Sequence, residues 1–425
     1  MRRALILVSV AACAKIVGIH DYDPTGDASG PNPPSFDAPG TIMPPPPPCG
    51  SGWGGAGCVT SLAAGVDKTC AVADNVVYCW GNLPGNGSSN ATGPVAVTSG
   101  SPANVSISTS SSGITNGVTC IDAGGKVTCW GDSSLGQQQS MIGTNAPGGP
   151  FPEPWSTVAV GEDHACGLSG SAVSCWGADD ADQLGTNAIV APCGAVPCSR
   201  TPFPIDMTSG VVELASGGSH TCVRYDGGSV ACWGSDSEGQ LGNNLEAANP
   251  VPQTVVTESG SPIVATRITA GLLQTCALDS AGDFACWGAG GLGQRGDGEA
   301  NDASYATFIS PTGRPFTAIA TGENNTCAID AYKQVWCWGD STYELTGPNP
   351  FQMPQFSEPT ALSEIPGATV ITVGKRHACA LLETGGIVCW GDNSAHELGV
   401  TGAHAMCGTL NSDCSADPIT VPPPM

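Results

Sequence analysis

The chain has 425 residues, with 13 Lys and Arg against 37 Asp and Glu, for a formal net charge of −24. Charged residues make up only 12%, while Gly and Pro number 59 and 35; this excludes a coiled coil or helical bundle and leaves no basic face for nucleic acid. The 21 cysteines point to an oxidising compartment, and their odd number leaves one thiol over.

At the amino end, Arg2 and Arg3 precede an apolar run over residues 4–12, broken only by Ser9. About 20 apolar residues are needed to span a bilayer, so the run fits a secretory h-region instead. It ends Val10-Ala11-Ala12-Cys13, which resembles the lipobox of bacterial lipoproteins. That resemblance implies a signal peptide over residues 1–12 and lipid (palmitate) on Cys13; an ordinary cleaved signal with Cys13 incidental is the alternative. Residues 13–48 then form a Pro-rich linker ending in the proline run 44–48. Such a segment buries too little apolar surface to fold, and is expected to be a disordered tether. At about 3.1 Å per residue it would reach on the order of 100 Å.

From residue 49 to 425 the chain repeats. Cys-Trp-Gly occurs seven times, with its tryptophan at Trp80, Trp130, Trp176, Trp233, Trp287, Trp338 and Trp390, a period of about 52 residues. Each triplet has a partner cysteine upstream: Cys70 with Cys79, Cys120 with Cys129, Cys166 with Cys175, Cys222 with Cys232, Cys276 with Cys286, Cys327 with Cys337, and Cys379 with Cys389. In the first three copies the spacing of nine leaves a two-residue hairpin loop, Asp74-Asn75, Gly124-Gly125 or Gly170-Ser171. In the last four the spacing of ten leaves a three-residue loop ending at Gly228, Gly282, Lys333 or Gly385, where a left-handed residue is wanted. Both loop lengths place the cysteines opposite each other on antiparallel strands, within disulfide range. Zinc is disfavoured because no Cys-x-x-Cys knuckle occurs. Six of the seven upstream cysteines have a glycine five residues before them: Gly65, Gly161, Gly217, Gly271, Gly322 and Gly374; the second copy has Thr115. Alternating segments ahead of the pairs, such as Val212-Glu213-Leu214, Thr317-Ala318-Ile319 and Val370-Ile371-Thr372-Val373, read as strands. Three or four short strands per repeat predict an all-β, seven-bladed β-propeller with an intrablade disulfide in each blade.

The fourth copy, with Gly217, His220, Cys222, Trp233, Gly234 and then Gly239-Gln240-Leu241-Gly242, resembles the repeat of the regulator of chromosome condensation family. The resemblance covers roughly residues 58–421 and implies the same seven-bladed propeller, in a cysteine-rich form seen among bacterial exported members. The nucleotide-exchange activity of the eukaryotic member is not implied, since no residue match carries it. Other copies decay: Gln183-Leu184-Gly185 and Leu398-Gly399 keep the end of the motif, Gly293-Gln294-Arg295-Gly296 loses the leucine, and the first two copies lack it. Behind two of these motifs the chain runs on in register, to Cys193, Cys198 and Pro202 and to Cys407, Cys414 and Pro418. The carboxyl-terminal stretch therefore reads as a repeat fragment, and its Ile419-Thr420-Val421 strand is expected to complete the blade begun by residues 59–64.

The cysteine inventory closes with three further local pairs, Cys49 with Cys58, Cys193 with Cys198 and Cys407 with Cys414, and the twenty-first is Cys13. His164, His220 and His377 hold one repeat position in three blades, where the others have Lys68, Val118, Gln274 and Asn325. Spread around a ring, they cannot share a metal and read as blade-turn residues with local hydrogen bonds. The repeat tryptophans read as core packed between neighbouring blades. Of the acidic runs, Asp179-Asp180-Ala181-Asp182 reads as solvated loop, and Asp297, Glu299 and Asp302 are the one weak calcium candidate, without the full twelve-residue loop. No motif places a nucleophile beside a base, and no cofactor is expected. The bridged excursions Cys193–Cys198 and Cys407–Cys414 are candidate shaped loops, with loop protection as the plain alternative. The expectation is an exported, lipid-anchored, monomeric cell-surface or outer-membrane propeller that binds protein or glycan without catalysis. The alternatives are a secreted propeller that inhibits a hydrolase, as one relative does across its face, and a propeller lyase with convergent His, Glu and Arg at the channel mouth.

Overall fold

The computed structural model describes residues 53, 59–74, 76–83, 91–99, 104–107, 118–122, 127–131, 155–186, 192–193, 196–207, 210–245, 247–347, 355–401, 405–407 and 412–424, with backbone alone at 98–99, 104–107, 122, 130–131, 192, 405–407 and 412. Cys13, the signal and tether residues and Thr115 lie outside the described residues. So does the bridge expected between Cys49 and Cys58. That pairing rests on the cysteine count alone.

Among the described residues the regular elements are all strands, and they form seven antiparallel sheets. The first holds β1 (Val59–Ala64), β2 (Lys68–Ala73), β3 (Val76–Gly81) and β4 (Ala91–Ser99). The second repeat gives β5 (Asn104–Ile107), β6 (Val118–Asp122) and β7 (Val127–Gly131). The third gives β8 (Thr157–Val160), β9 (His164–Ser169), β10 (Ala172–Ala178), β11 (Pro192–Cys193) and β12 (Val196–Pro204). The fourth gives β13 (Val211–Ser216), β14 (His220–Tyr225), β15 (Val230–Gly234) and β16 (Asn249–Thr254). The fifth gives β17 (Arg267–Ala270), β18 (Gln274–Leu278) and β19 (Phe284–Gly288), with single bridges from Phe284 to Ile309 and Gly288 to Ala303 in place of a fourth strand. The sixth gives β20 (Phe316–Thr321), β21 (Asn325–Asp330), β22 (Val335–Asp340) and β23 (Gln355–Leu362). The last gives β24 (Ala368–Val373), β25 (His377–Leu382), β26 (Ile387–Asp392), β27 (Ala405–Cys407) and β28 (Ser412–Thr420).

This is an all-β propeller. The first strand of each sheet touches the first strand of the next, in the order β1, β5, β8, β13, β17, β20, β24, and β24 touches β1. Six sheets are described with the side chains of their central strands. That of the second repeat is described only in part, because the Trp130 side chain and any strand outside β7 fall beyond the described residues.

The hairpins follow from loop chemistry. Each blade pair is in register: Cys70 faces Cys79, Cys166 faces Cys175, and Cys222 faces Cys232. All seven pairs are bonded, with Cα atoms 4.0–4.1 Å apart. The third loop residue is left-handed in all four longer loops, at Gly228, Gly282, Gly385 and also Lys333, whose φ is 65°. There the turn geometry overrides the side chain's cost in that region. The Gly of Cys-Trp-Gly has a separate cause. The register to the next strand slips between Cys and Gly, as at Cys232/Gly234 and Cys337/Gly339, so the tryptophan sits on a β-bulge, and the glycine after it takes φ of 90–110° at Gly81, Gly177, Gly234, Gly288, Gly339 and Gly391.

Trp80, Trp176, Trp233, Trp287, Trp338 and Trp390 are fully buried. Each of three joins the core cluster holding the disulfide of the sheet before it: Trp233 with Cys166 and Cys175, Trp287 with Cys222 and Cys232, Trp80 with Cys379 and Cys389. The bridge thus also forms the surface on which the next indole packs. Replacing both Cys222 and Cys232 by Ala is therefore expected to cost about 2–3 kcal/mol from the released loop alone, on top of the weakened packing around Trp287. The urea midpoint of the double variant checks this, and an unchanged midpoint would refute it.

The carboxyl-terminal strand corrects the expected closure. β28 pairs with β26, Cys389 opposite Ile419 and Val388 opposite Thr420, and not with β1. The reason is that β1 is already an innermost strand with its own sheet β1–β4, so the last repeat must supply its own outer strand. The ends of the ring meet side by side instead.

Candidate functional site

Antiparallel connectivity puts the hairpins between second and third strands on one face of the propeller. The turns between first and second strands, and those after the third, are on the other. On that second face the inner turns are Gly65-Val66-Asp67, Gly161-Glu162-Asp163, Gly217-Gly218-Ser219, Gly271-Leu272-Leu273, Gly322-Glu323-Asn324 and Gly374-Lys375-Arg376.

These turns bond to one another around the mouth of the ring. The Glu162 amide donates to Gly218 O (3.0 Å), Gly218 to Leu272 O (3.0 Å), Leu272 to Gly322 O (3.2 Å) and Lys375 to Gly65 O (3.0 Å). So close is the approach that a Cβ on Gly161, Gly217, Gly271, Gly322 or Gly374 would come within 3 Å of the carbonyl oxygen of the next ring glycine. This explains the glycine five residues before the cysteine.

The residue after each ring glycine is carried to the mouth. Lys375 Nζ pairs with Glu323 Oε2 at 3.2 Å, both ends largely shielded from water. Glu162, from a third sheet, feels both charges; burial and then Asp163 push its carboxyl up to about 7, with Lys375 opposing and Glu323 and Asp180 adding to the rise. Asp179, in the adjoining outer turn, rises to about 6, mainly through burial, while the bond from the Leu184 amide opposes it. Sequence reasoning missed Glu162, Glu323 and Lys375. The signal was present, since each directly follows a ring glycine, but its meaning depended on knowing that the glycines converge.

The histidines correct their expected role. Their bonds are not local to the turn but cross to the next sheet: His164 Nε2 to Thr221 Oγ1 (2.7 Å), His220 to Thr275 (2.9 Å) and His377 to Thr69 (2.7 Å). Thr275 donates in turn to Gln240 O, so the His220 Nε2–H is the donor. Burial lowers the three to about 4, 3 and 3. They are neutral structural links. Arg376 stacks over Tyr343, 4.9 Å from its centroid.

The acidic runs lie on partly exposed turns, and their aspartates are hydrogen-bonded, Asp302 also to Glu238 of the fourth repeat. Asp180 Oδ1 accepts from Gln183 Nε2 (3.0 Å). Asp297 pairs with Arg295 and also accepts from the Glu299 amide, and Asp302 accepts from the Gly290 amide (2.8 Å). The calcium candidate's two aspartates are thus already engaged, and among the described residues no metal-holding group of His, Cys, Asp or Glu occurs. Cys193 and Cys198 are bonded, tying β11 to β12 at the rim of the same face. Cys414 is also bonded; the side chain of Cys407 lies outside the described residues.

The repeat model "Regulator of chromosome condensation (RCC1) repeat" matches residues 211–240, 316–344 and 369–397, and a second model of the same description matches 227–278. The chain is 29% identical over 252 residues to the Ultraviolet-B receptor UVR8 of Arabidopsis thaliana, covering 57% of this chain and 54% of that one. It is 27% identical over 248 residues to the E3 ubiquitin-protein ligase HERC2 of Homo sapiens, covering 57% of this chain and 5% of HERC2. It therefore spans about half of the one relative and a small fraction of the other. By fold it is similar to the crystal structure of Kap60 bound to yeast RCC1 (Prp20), with a TM-score of 0.67 at 16% identity over 95% of this chain and 91% of that one. Human WBSCR16 gives 0.66 at 18%, over 86% and 92%. The repeats matched at 211–278, 316–344 and 369–397, with this chain's glycine ring, disulfide hairpins and buried tryptophans, support an RCC1-type repeat propeller.

Proposed function

We propose that the chain is a closed, seven-bladed, non-catalytic binding disc that engages a protein partner through the face bearing Glu162, Glu323 and Lys375. The observation that carries the reading is the convergence there of charged side chains from three sheets, beside a disulfide-tied rim turn. Rigid turns bearing variable residues suit recognition. The seven-blade count is supported by the seven sheets and the cyclic order of their first strands. Among similar structures, one is described with binding to Gsp1p and histones; a protein partner of some kind is the part of that precedent adopted here.

Export and lipid anchoring belong to the same proposal, supported by the Val10-Ala11-Ala12-Cys13 run and by a cysteine count that pairs Cys49 with Cys58 and leaves Cys13 over. Replacing Cys13 by Ser should release the protein from membranes, and unchanged membrane association would end that part of it. The binding face is tested by cross-linked capture from native cell envelopes with the full chain. Glu162→Arg together with Glu323→Arg should abolish the captured species, whereas Asp226→Arg on the opposite face should not. Equal capture by all three proteins, or loss only with Asp226→Arg, would reject the face.

A further inference from the structure

The ring has one junction that the chain does not cross: the sheet of β24–β28 against that of β1–β4. Among the described residues it is held laterally, by Ala64 N to Thr372 Oγ1 (2.9 Å), Lys375 N to Gly65 O (3.0 Å), the Thr69–His377 bond, Thr69 Oγ1 to Glu397 O (3.4 Å), Trp53 Nε1 to Val421 O (3.3 Å) and Trp80 Nε1 to Glu397 O (2.7 Å).

The last of these has counterparts at the interior junctions. Trp233 donates to Gln183 O, Trp287 to Gln240 O, Trp338 to Gln294 O and Trp390 to Leu345 O. In the first three the anchoring residue is a glutamine whose side-chain oxygen accepts the amide two residues back, at Ala181, Glu238 and Leu292, and in the fourth it is a leucine. Glu397 holds the same slot and accepts from Ala395 N (2.9 Å). It is the one ionisable residue there among the described copies, and it stands at the one discontinuous junction. Where Gln240 donates its amide N–H to Ser235 Oγ, the residue at the matching position of the last turn is Asp392. Both Asp392 and Glu397 are 1% exposed.

We propose that this junction is a pH-sensitive seam, in which ionisation of Glu397 beside the buried Asp392 loosens the turn that anchors Trp80 and lets the first and last sheets part. A neutral Glu397 can donate as glutamine does; an ionised one cannot, and two buried carboxylates in one turn repel. The carboxyls of both residues are raised, first by burial; for Glu397 the next cause is the charge of Asp392. Asp392 accepts from Ser394 N and Oγ; the charged and titratable groups bearing on the pair are Asp67 of the first inner turn, Arg376, which favours an ionised Asp392, and Tyr343 of the preceding sheet, while Asp413 of β28 bonds the neighbouring Asn393. Lys68 on β2 is lowered to about 8, chiefly by burial, and titrates in the same range. It is unchanged in the variants below, so it cancels in the comparison. The sign is definite: a carboxyl raised in the folded state makes the seam tightest near the ordinary carboxylate range and weaker as pH rises above it.

Hydrogen exchange on the full chain, corrected for intrinsic rates and followed from pH 5.5 to 8.5, tests this. Peptides spanning 76–81 and 391–399 should lose about tenfold more protection than peptides spanning 230–242 and 284–296. Glu397→Gln should abolish the excess loss, and Asp392→Ser should reduce it. An excess that survives Glu397→Gln, or no excess in the wild type, would overturn the proposal. If Glu397→Gln does not fold, Asp392→Ser decides by the same readout.

Discussion

Alanine at Gly322 is expected to destabilise the propeller by about 3 kcal/mol, at the upper end for a single added methyl group. The site leaves no room to relax: the new Cβ would meet the backbone carbonyl of Gly374 and the Val373 side chain, both within 3 Å. Gly322 is not left-handed, so the cost is one of volume and not of backbone conformation. The clash falls on an inter-sheet hydrogen-bonded turn, since the Gly322 carbonyl accepts from both the Leu272 amide and Gln274 Nε2. Alanine at Gly227, whose added Cβ meets nothing within 4 Å, is the matched control and should shift the urea midpoint by less than about 0.5 kcal/mol. Equal effects at the two positions would show that the ring is looser than its geometry implies.

The second large effect is acid lability from the inter-sheet histidines. Each is completely buried and neutral, with a folded value of about 4 for His164 and about 3 for His220 and His377, against an ordinary 6.5. The unfolded chain therefore binds more protons below pH 6.5, and stability from these groups is lost as pH falls through that value toward 4 and 3. At pH 4 the loss for His220 is about 3 kcal/mol, at 1.36 kcal/mol per pH unit. Raised carboxyls such as Glu162 and Glu213 act in the opposite direction, so the difference between wild type and His220→Gln isolates the imidazole. Glutamine is the residue the fifth sheet uses in this slot, where Gln274 Nε2 bonds Gly322 O at 3.2 Å. His220→Gln should thus be near neutral at pH 7 and more stable than wild type at pH 4, measured by urea unfolding at both. Parallel loss in the two proteins would refute the assignment.

Much of this architecture is legible in the residues. Cysteine spacings of nine and ten set two hairpin lengths, and the register of Cys222 with Cys232 and of Cys70 with Cys79 follows from them. The tryptophans of the six triplets whose side chains are described are in the core because a large ring in every repeat has nowhere else to go. Short-range constraints of this kind act within about ten residues, and the chain carries them locally. The closing strand escapes such reasoning. Ile419 and Thr420 look like any outer strand, and whether they pair with β26 or β1 depends on which strands already have partners. The histidines occupy the expected slot but bond to unexpected partners, because Thr221, Thr275 and Thr69 belong to neighbouring sheets 308 or about 55 residues away in sequence.

By itself the sequence determined that this is a repeat propeller with a disulfide hairpin in each copy. Only the tertiary structure decided that the ring glycines meet edge to edge, that Glu162, Glu323 and Lys375 share a mouth, and that Glu397 takes a glutamine's place at the junction the chain does not cross. The physical reason is common to all three. Hairpin register and turn type depend on residues a few positions apart, whereas convergence depends on how many sheets pack around the axis and where the two ends meet, and no local pattern encodes that.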